Sequence, residues 1–268
     1  MTPFEEFFGG NMFVINLARR PDRMAHFNAE MKRIDVTCVE RFEAIDFGPD
    51  WGNHSCSASH RAVMDLIVQR GMPRAFVWED DATLREQFAN SFNQEVAPIL
   101  REIPDDYQMV YFGGHYAEDP RGWFSKHLIL MGAMKTTSSY GVTLESARLL
   151  RDMIPAGTGD AIDNLYADFN SKGRCYITEP RFFVQYNNYS DLQKRQMNNT
   201  PPMEDSSHVS RLGNIGRIGA PIPPPAPPPA VVAKPKTVVS VEPAAPPQPE
   251  PIVPPAWNGR PKRKYRTP

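Results

Sequence analysis

Apolar runs with strand character alternate with helix-patterned stretches through the first 200 residues. That alternation predicts an α/β fold, a sheet with helices on both faces. A second observation locates its working edge. Ala75-Phe76-Val77-Trp78 is an uninterrupted apolar run followed directly by Glu79-Asp80-Asp81, so a buried strand delivers three acids at its carboxyl end, where open α/β sheets hold ligands. The third observation divides the chain. Nine of its 28 prolines fall in residues 1–200 and 19 in residues 201–268, and the balance of Lys+Arg to Asp+Glu moves from 21 against 27 to 9 against 4. The expectation is a mildly acidic body, residues 1–200, large enough for one core. Residues 201–268 form a basic, proline-rich tail without apolar periodicity, predicted to be disordered, with Pro223–Pro225 and Pro227–Pro229 favouring extended polyproline II.

Met12 to Leu17 reads as a first, central strand, and Pro21 opens a helix over residues 21–33 whose apolar face is Met24, Phe27, Met31 and Ile34. Thr37 to Phe42 reads as a second strand. After a loop through Asp46, Gly48, Pro49 and Gly52, Ser57 or Ser59 is placed to cap a helix carrying Ala62, Val63, Leu66 and Ile67, with Gly71 as its stop. Beyond the acids, Thr83 to Phe92 looks helical, and a helical face of Phe88, Phe92, Val96 and Ile99 ends by Pro104. Tyr107–Phe112, His127–Met131 and Ser138–Thr143 read as strands, Glu145–Met153 and Asp160–Asn170 as helices, and Cys175–Thr178 with Phe182–Tyr186 close the body.

A net charge of −1 gives no argument for nucleic acid. No stretch is long and apolar enough for a membrane span, and Met1-Thr2-Pro3-Phe4-Glu5-Glu6 carries acids where a signal peptide has bases. Three cysteines, Cys38, Cys56 and Cys175, make no disulfide framework and fit a reducing compartment. A cytoplasmic protein is expected, with peripheral membrane contact as a variant. The cluster Lys262-Arg263-Lys264-Tyr265-Arg266 suits an anionic surface, and the proline runs suit a proline-motif-binding partner. His54, His60, His115 and His127 lack zinc-site spacing, and Cys56 reads as a packed thiol.

Two readings of the acid triplet stand. Adjacent carboxylates repel, and a hard divalent cation relieves that repulsion while leaving coordination positions open for diphosphate oxygens. In an extended segment Glu79 and Asp81 share a face as metal ligands and Asp80 points away. The other reading has the acids merely opening the next helix, where they complement its dipole.

Further residues bear on the choice. Asn16-Leu17 with Arg20 and Arg23, Cys56-Ser57-Ala58-Ser59-His60, Val77-Trp78-Glu79-Asp80-Asp81, Tyr111-Phe112-Gly113-Gly114, Ser139-Tyr140, Leu149-Leu150, Ile162-Asp163-Asn164 and Ser190-Asp191-Leu192 occur in this order. Together they resemble glycosyltransferase family 25, the lipooligosaccharide galactosyltransferase family that also includes collagen galactosyltransferases. The likeness spans about residues 11–192. It departs at Trp51-Gly52-Asn53-His54-Ser55, where many members have Gly-x-x-Gly-Cys, and in the proline tail.

The resemblance implies a GT-A-like nucleotide-sugar-binding sheet, UDP-galactose as donor, Mn²⁺ as metal, a saccharide acceptor on a surface glycan and inversion at the anomeric carbon. It makes Asp163 the first candidate for general base, with Asp160 as second candidate or helix cap. It also puts His60 near the nucleotide, although a lone histidine is otherwise structural. Arg20 and Arg23 offer planar donor forks for a diphosphate, or else simply begin a solvated helix. Asn16 and Asp80 are expected on the nucleotide-sugar, Asn16 alternatively satisfying only local backbone. The competing function is a catalytically inactive transferase-like domain that binds or scaffolds through its tail.

Overall fold

The computed structural model describes residues 1–191 and 193–212. In chain order the elements are α1 (Pro3–Phe7), β1 (Met12–Asn16), α2 (Pro21–Arg33), β2 (Val39–Glu43), α3 (Gly52–Gln69), β3 (Arg74–Glu79), β4 (Ala82–Leu84), α4 (Phe92–Glu102), β5 (Met109–Tyr111), β6 (His115–Tyr116), β7 (Gly122–Trp123), β8 (Leu128–Leu130), β9 (Met134–Lys135), β10 (Ser139–Thr143), α5 (Leu144–Met153), α6 (Ile162–Lys172), β11 (Cys175–Thr178), β12 (Phe183–Gln185), β13 (Asn188–Ser190), β14 (Arg195–Met197), α7 (Thr200–Glu204) and α8 (Ser207–Arg211).

The expected α/β architecture is present as a mixed eight-stranded sheet in the order β2-β1-β3-β10-β5-β11-β8-β7. β2, β1 and β3 run parallel, and β10 enters antiparallel between β3 and β5. The pleat sorts the core into two layers. Met12 and Val14 of β1 and Phe76 and Trp78 of β3 pack with Phe27 and Met31 of α2 and with Phe92, Val96 and Ile99 of α4. The intervening Phe13, Ile15, Ala75 and Val77 pack on the other face with α3, α5 and α6 through Val63, Leu150 and Tyr166. Met12–Ile15 of β1 and Ala75–Trp78 of β3 are apolar without a break because both faces of these strands are covered.

Four expectations are corrected. The helix predicted from Ser57 or Ser59 begins at Gly52, so these serines lie inside α3. Ser59 bonds the Ser55 carbonyl and accepts from the Ile45 amide, and Ser55 accepts from the Phe47 amide, which fixes the preceding loop. Thr83 to Phe92 is not a helix: Ala82–Leu84 is a strand pairing with β12, followed by a 3₁₀ turn at Glu86–Phe88. Non-local pairing with Phe183–Gln185 overrides a helical pattern that local spacing alone had favoured. Asp160 lies outside α6, which starts at Ile162 with Ala161 at its cap and no side-chain capping bond.

The fourth correction concerns residues 201–211, expected in the disordered tail. They form α7 and α8, and Met203 is fully buried. The segment also serves the body, because the buried guanidinium of Arg181 donates to the Asp205 carbonyl (2.7 Å) and to Ser206 Oγ (3.3 Å). The polyproline runs and the basic cluster of residues 262–266 lie outside the described residues. Among the described residues no helix is long and apolar enough to cross a membrane.

Truncation tests this boundary. Ending the chain after residue 199 empties the Met203 pocket and removes acceptors from a buried cation, at a cost of at least about 2 kcal/mol. Chains ending at residues 199 and 212 should therefore differ in urea midpoint, the shorter unfolding first. Coincident midpoints would show that α7 and α8 contribute nothing.

Candidate active site

The carboxyl ends of β1 and β3 lie side by side, and the alternation of side chains continues past the end of β3. Glu79 falls on the α3 side and Asp80 on the α2 side, while Asp81 returns to face Gln185 together with Glu79. The chain turns at Asp80–Asp81 instead of running on extended, but the separation of the acids holds. The acids precede a strand, so the helix-opening reading of the triplet falls away.

Asp80 is buried and fully engaged. One carboxylate oxygen accepts from Arg23 (2.8 Å) and the other from Asn16 Nδ2 (2.7 Å). Asn16 also donates to the Arg20 carbonyl and accepts from Arg41 Nε (2.9 Å). Arg23 reaches on to Asn188 Oδ1 (2.5 Å) and the Tyr189 carbonyl (3.0 Å). Asn16, Arg23 and Asp80, expected on the nucleotide-sugar, are thus one another's partners. Of the three, Arg23 and Asp80 also line the cavity described next. Arg20 pairs with Asp22 and Asp191 and does not line it; its neighbour Arg19 does, paired with Asp46 and Asp191.

A cavity of about 560 Å³ opens beside the triplet, lined by Glu79, Asp80, Asp81, Cys56, Lys135 and Asp163 among others. Gln185 Nε2 donates to Glu79 Oε2 (3.3 Å) and Asp81 Oδ1 (3.1 Å), so one amide group draws both carboxylates together. Two carboxylates gathered on one cavity wall offer hard oxygens of the kind that suits a divalent cation. Burial pushes the Asp81 carboxyl up to about 7, opposed by the Arg23 charge and reinforced by Glu79 and Asp80. Burial acts likewise on Glu79, but His60 and the Thr137 hydroxyl outweigh it and hold that group below its ordinary range.

The far wall comes from β9 and the turn after it, with α6 behind. Asp163 sits half-buried in the first turn of α6 and accepts the Thr136 amide at 3.4 Å. Lys135 donates to Asn164 Oδ1, and Thr137 donates to Glu79. Residues 135–137 therefore bridge the two acidic groups, with Thr136 held at φ 71°, an unfavourable conformation for a β-branched residue. The structure separates the two candidate bases: Asp163 lines the cavity, whereas Asp160 is exposed and held by Thr158.

Sequence reasoning missed Gln185, Thr137 and Lys135, which carry no local signature and arrive from β12, from the turn after β9 and from β9. It also missed a cluster. Cys56 and His60, four residues apart on α3, meet Glu79 with one ligand atom from each within 4.8 Å of the others. The i, i+4 spacing was visible, but the third member comes from another element. His60 is fully buried, its Nδ1 2.7 Å from Tyr140 Oη and its Nε2 3.2 Å from Glu79 Oε1. Burial pushes the Cys56 thiol well above its ordinary range, and the Glu79 and Asp163 charges add to this.

Comparison with known proteins gives the following. Residues 51–115 match the family model described as glycosyltransferase family 25 (LPS biosynthesis protein). A Bos taurus protein named "Probable inactive glycosyltransferase 25 family member 3" is 23% identical over 170 residues, covering 52% of this chain and 28% of that protein. The Homo sapiens "Inactive glycosyltransferase 25 family member 3" is 22% identical over 170 residues with the same coverage. The chain thus spans less than a third of the length of these curated relatives. A solved glycosyltransferase involved in the glycosylation of the major capsid of PBCV-1 aligns with a TM-score of 0.41 at 10% identity, over 69% of this chain and 95% of that one. From the start of α3 through the acid triplet to β6, a stretch that holds three of the eight motifs, the chain matches glycosyltransferase family 25, and the family resemblance is borne out.

Proposed function

We propose that this protein is a metal-dependent glycosyltransferase that moves a sugar, galactose by family likeness, from a UDP-sugar to a saccharide acceptor with inversion. The observation that carries it is the arrangement of Glu79 and Asp81 on one cavity wall and Asp163 on another, in a space large enough for a nucleotide-sugar. Glu79 and Asp81 would hold the cation, which when bound supplies charge neutralisation at the leaving diphosphate.

This chain's own residues do the rest. Arg23 pairs with Asp80 and reaches Asp81 at 3.6 Å, so one guanidinium serves two of the three acids and the triplet keeps a surplus of negative charge. Lys135, which donates to the neutral amide of Asn164, offers a cation to phosphate oxygens. Asp163, oriented by the Thr136 amide, accepts the proton of the acceptor hydroxyl as that oxygen bonds to the anomeric carbon. The bond from that carbon to the diphosphate breaks, and UDP leaves with its electron pair.

A second reading is favoured by the names of the relatives, which are given as inactive. In it the cavity binds nucleotide-sugar without turnover. UDP release from UDP-galactose with Mn²⁺ distinguishes the two, because a transferase slowly hydrolyses its donor and a binding module does not.

Two predictions follow from the geometry. Asp81 has a folded-state pKa raised above its unfolded value, so it destabilises the metal-free protein increasingly as pH rises from about 4 to about 7. Asp81→Asn removes this penalty. At pH 8 without metal the variant should melt higher, at about 2–4 °C per kcal/mol recovered, with little difference near pH 4, while Mn²⁺-dependent UDP binding is lost. Equal melting at both pH values, or retained Mn²⁺-dependent UDP affinity, would count against the assignment.

The other prediction separates the two aspartates. Asp163→Asn should lower kcat by roughly two to four orders of magnitude with donor affinity little changed. Asp160→Asn, exposed and outside the cavity, should turn over normally. Transfer rates and UDP affinity measured on both variants test this, and a normal rate for Asp163→Asn would place the base elsewhere.

A further inference from the structure

We propose that Cys56, His60 and Glu79 form a binding site for a thiophilic divalent cation of the Zn²⁺ type, which shares Glu79 with the hard-oxygen pair Glu79–Asp81 but does not need Asp81. The proposal does not rest on the transferase reading, since it concerns what the three side chains hold and not what the cavity turns over.

A thiol sulfur, an imidazole nitrogen and a carboxylate oxygen are the donor types that Zn²⁺ prefers. Three protein ligands with one open position describe its accessible sites. Here the three ligand atoms lie within 4.8 Å of one another. Cys56 and Glu79 line the cavity, which leaves the fourth position open to it. The sulfur excludes Mg²⁺, Ca²⁺ and, largely, Mn²⁺ on grounds of softness.

The surroundings of the ligands fit as well. Tyr140 Oη lies 2.7 Å from His60 Nδ1 and can accept its proton, so a cation that takes the place of the Nε2 proton would meet an Nε2 lone pair turned toward Glu79. The Thr137 hydroxyl and the Gln185 amide hold the two oxygens of Glu79. Such outer contacts fix the orientation of ligands in metal centres. Cys56 and His60 sit one turn apart on α3, so the helix presents both from one face.

Charge also closes. Binding forms a metal–sulfur bond as the thiol proton passes to solvent, and the resulting thiolate and carboxylate together neutralise the divalent ion. A cation there relieves a buried carboxylate and gives the cavity a thiolate ligand. Neither Cys38 nor Cys175 belongs to a comparable cluster among the described residues.

The test uses the untagged full chain after metal removal. Co²⁺, the spectroscopic probe for a zinc site, should bind at one equivalent and give a near-ultraviolet thiolate-to-cobalt charge-transfer band that Zn²⁺ abolishes by displacement. The band should vanish in Cys56→Ser and persist in Cys38→Ser and in Asp81→Asn. Loss of Mn²⁺-dependent UDP binding in Asp81→Asn with the cobalt band intact shows that the thiol site does not depend on Asp81.

A second arm needs no variant. In the wild-type chain, Zn²⁺ should slow alkylation of Cys56 by iodoacetamide at least about 10-fold, mapped by mass spectrometry, because a metal-bound thiolate is masked. Mg²⁺ should not. No band in the wild type, a band surviving Cys56→Ser, or equal alkylation with and without Zn²⁺ would overturn the site, whatever UDP does.

Discussion

The buried contact of Asp80 with Arg23 and Asn16 is the constraint on which the rest of the site depends. Three adjacent carboxylates cannot share one low-dielectric space without a strong penalty. The chain resolves this by sending the middle one to the opposite side, where a buried guanidinium and an amide meet it. A buried charge with its partner removed is costly, so this contact fixes the end of β3 against the end of β1 and the start of α2. It also decides what remains uncompensated. Arg23 reaches Asp81 only at 3.6 Å, and Glu79 has a histidine and hydroxyl and amide donors, but no Arg or Lys among the described residues. The outer pair is left with unmatched negative charge facing a cavity.

The sheet order then determines what stands opposite that charge. β10 runs antiparallel between β3 and β5, and the Ser138 carbonyl accepts the Glu79 amide at 3.0 Å. That bond brings residues 135–137 to the cavity wall, so that Thr137 meets Glu79 while the Thr136 amide meets Asp163. The unfavourable φ of Thr136 is the local cost of making both contacts with adjacent residues. Gly113, at the end of β5, answers a similar demand. A Cβ there would lie 2.2 Å from the Phe183 carbonyl oxygen, so only glycine lets the chain that carries Gln185 approach this closely.

Glu79 joins two sets of ligand chemistry. One of its oxygens faces His60 and Thr137 and the other faces Gln185, which also holds Asp81. Hard oxygens lie on one side and a thiol with an imidazole on the other, so softness and not size alone sorts the cations the two sides accept.

What the sequence determined by itself is the α/β class, the apolar central strands, the boundaries of α2, the acids at the end of β3 and the split of Glu79 and Asp81 from Asp80. All of these follow from periodicity and pleat, which act over a few residues and are written into local spacing. The family motifs added Asp163 and His60, without saying which neighbours they meet. Only the tertiary structure decided that Thr83 pairs in a strand, that residues 201–211 pack on the body, that Asp160 faces solvent, and that Gln185, Thr137 and Cys56 gather around Glu79. Apart from the exposure of Asp160, each of these rests on a hydrogen bond or a burial between residues far apart in the chain. Such contacts are set by how the layers close on one another, and for that closure no short window of sequence carries a signal.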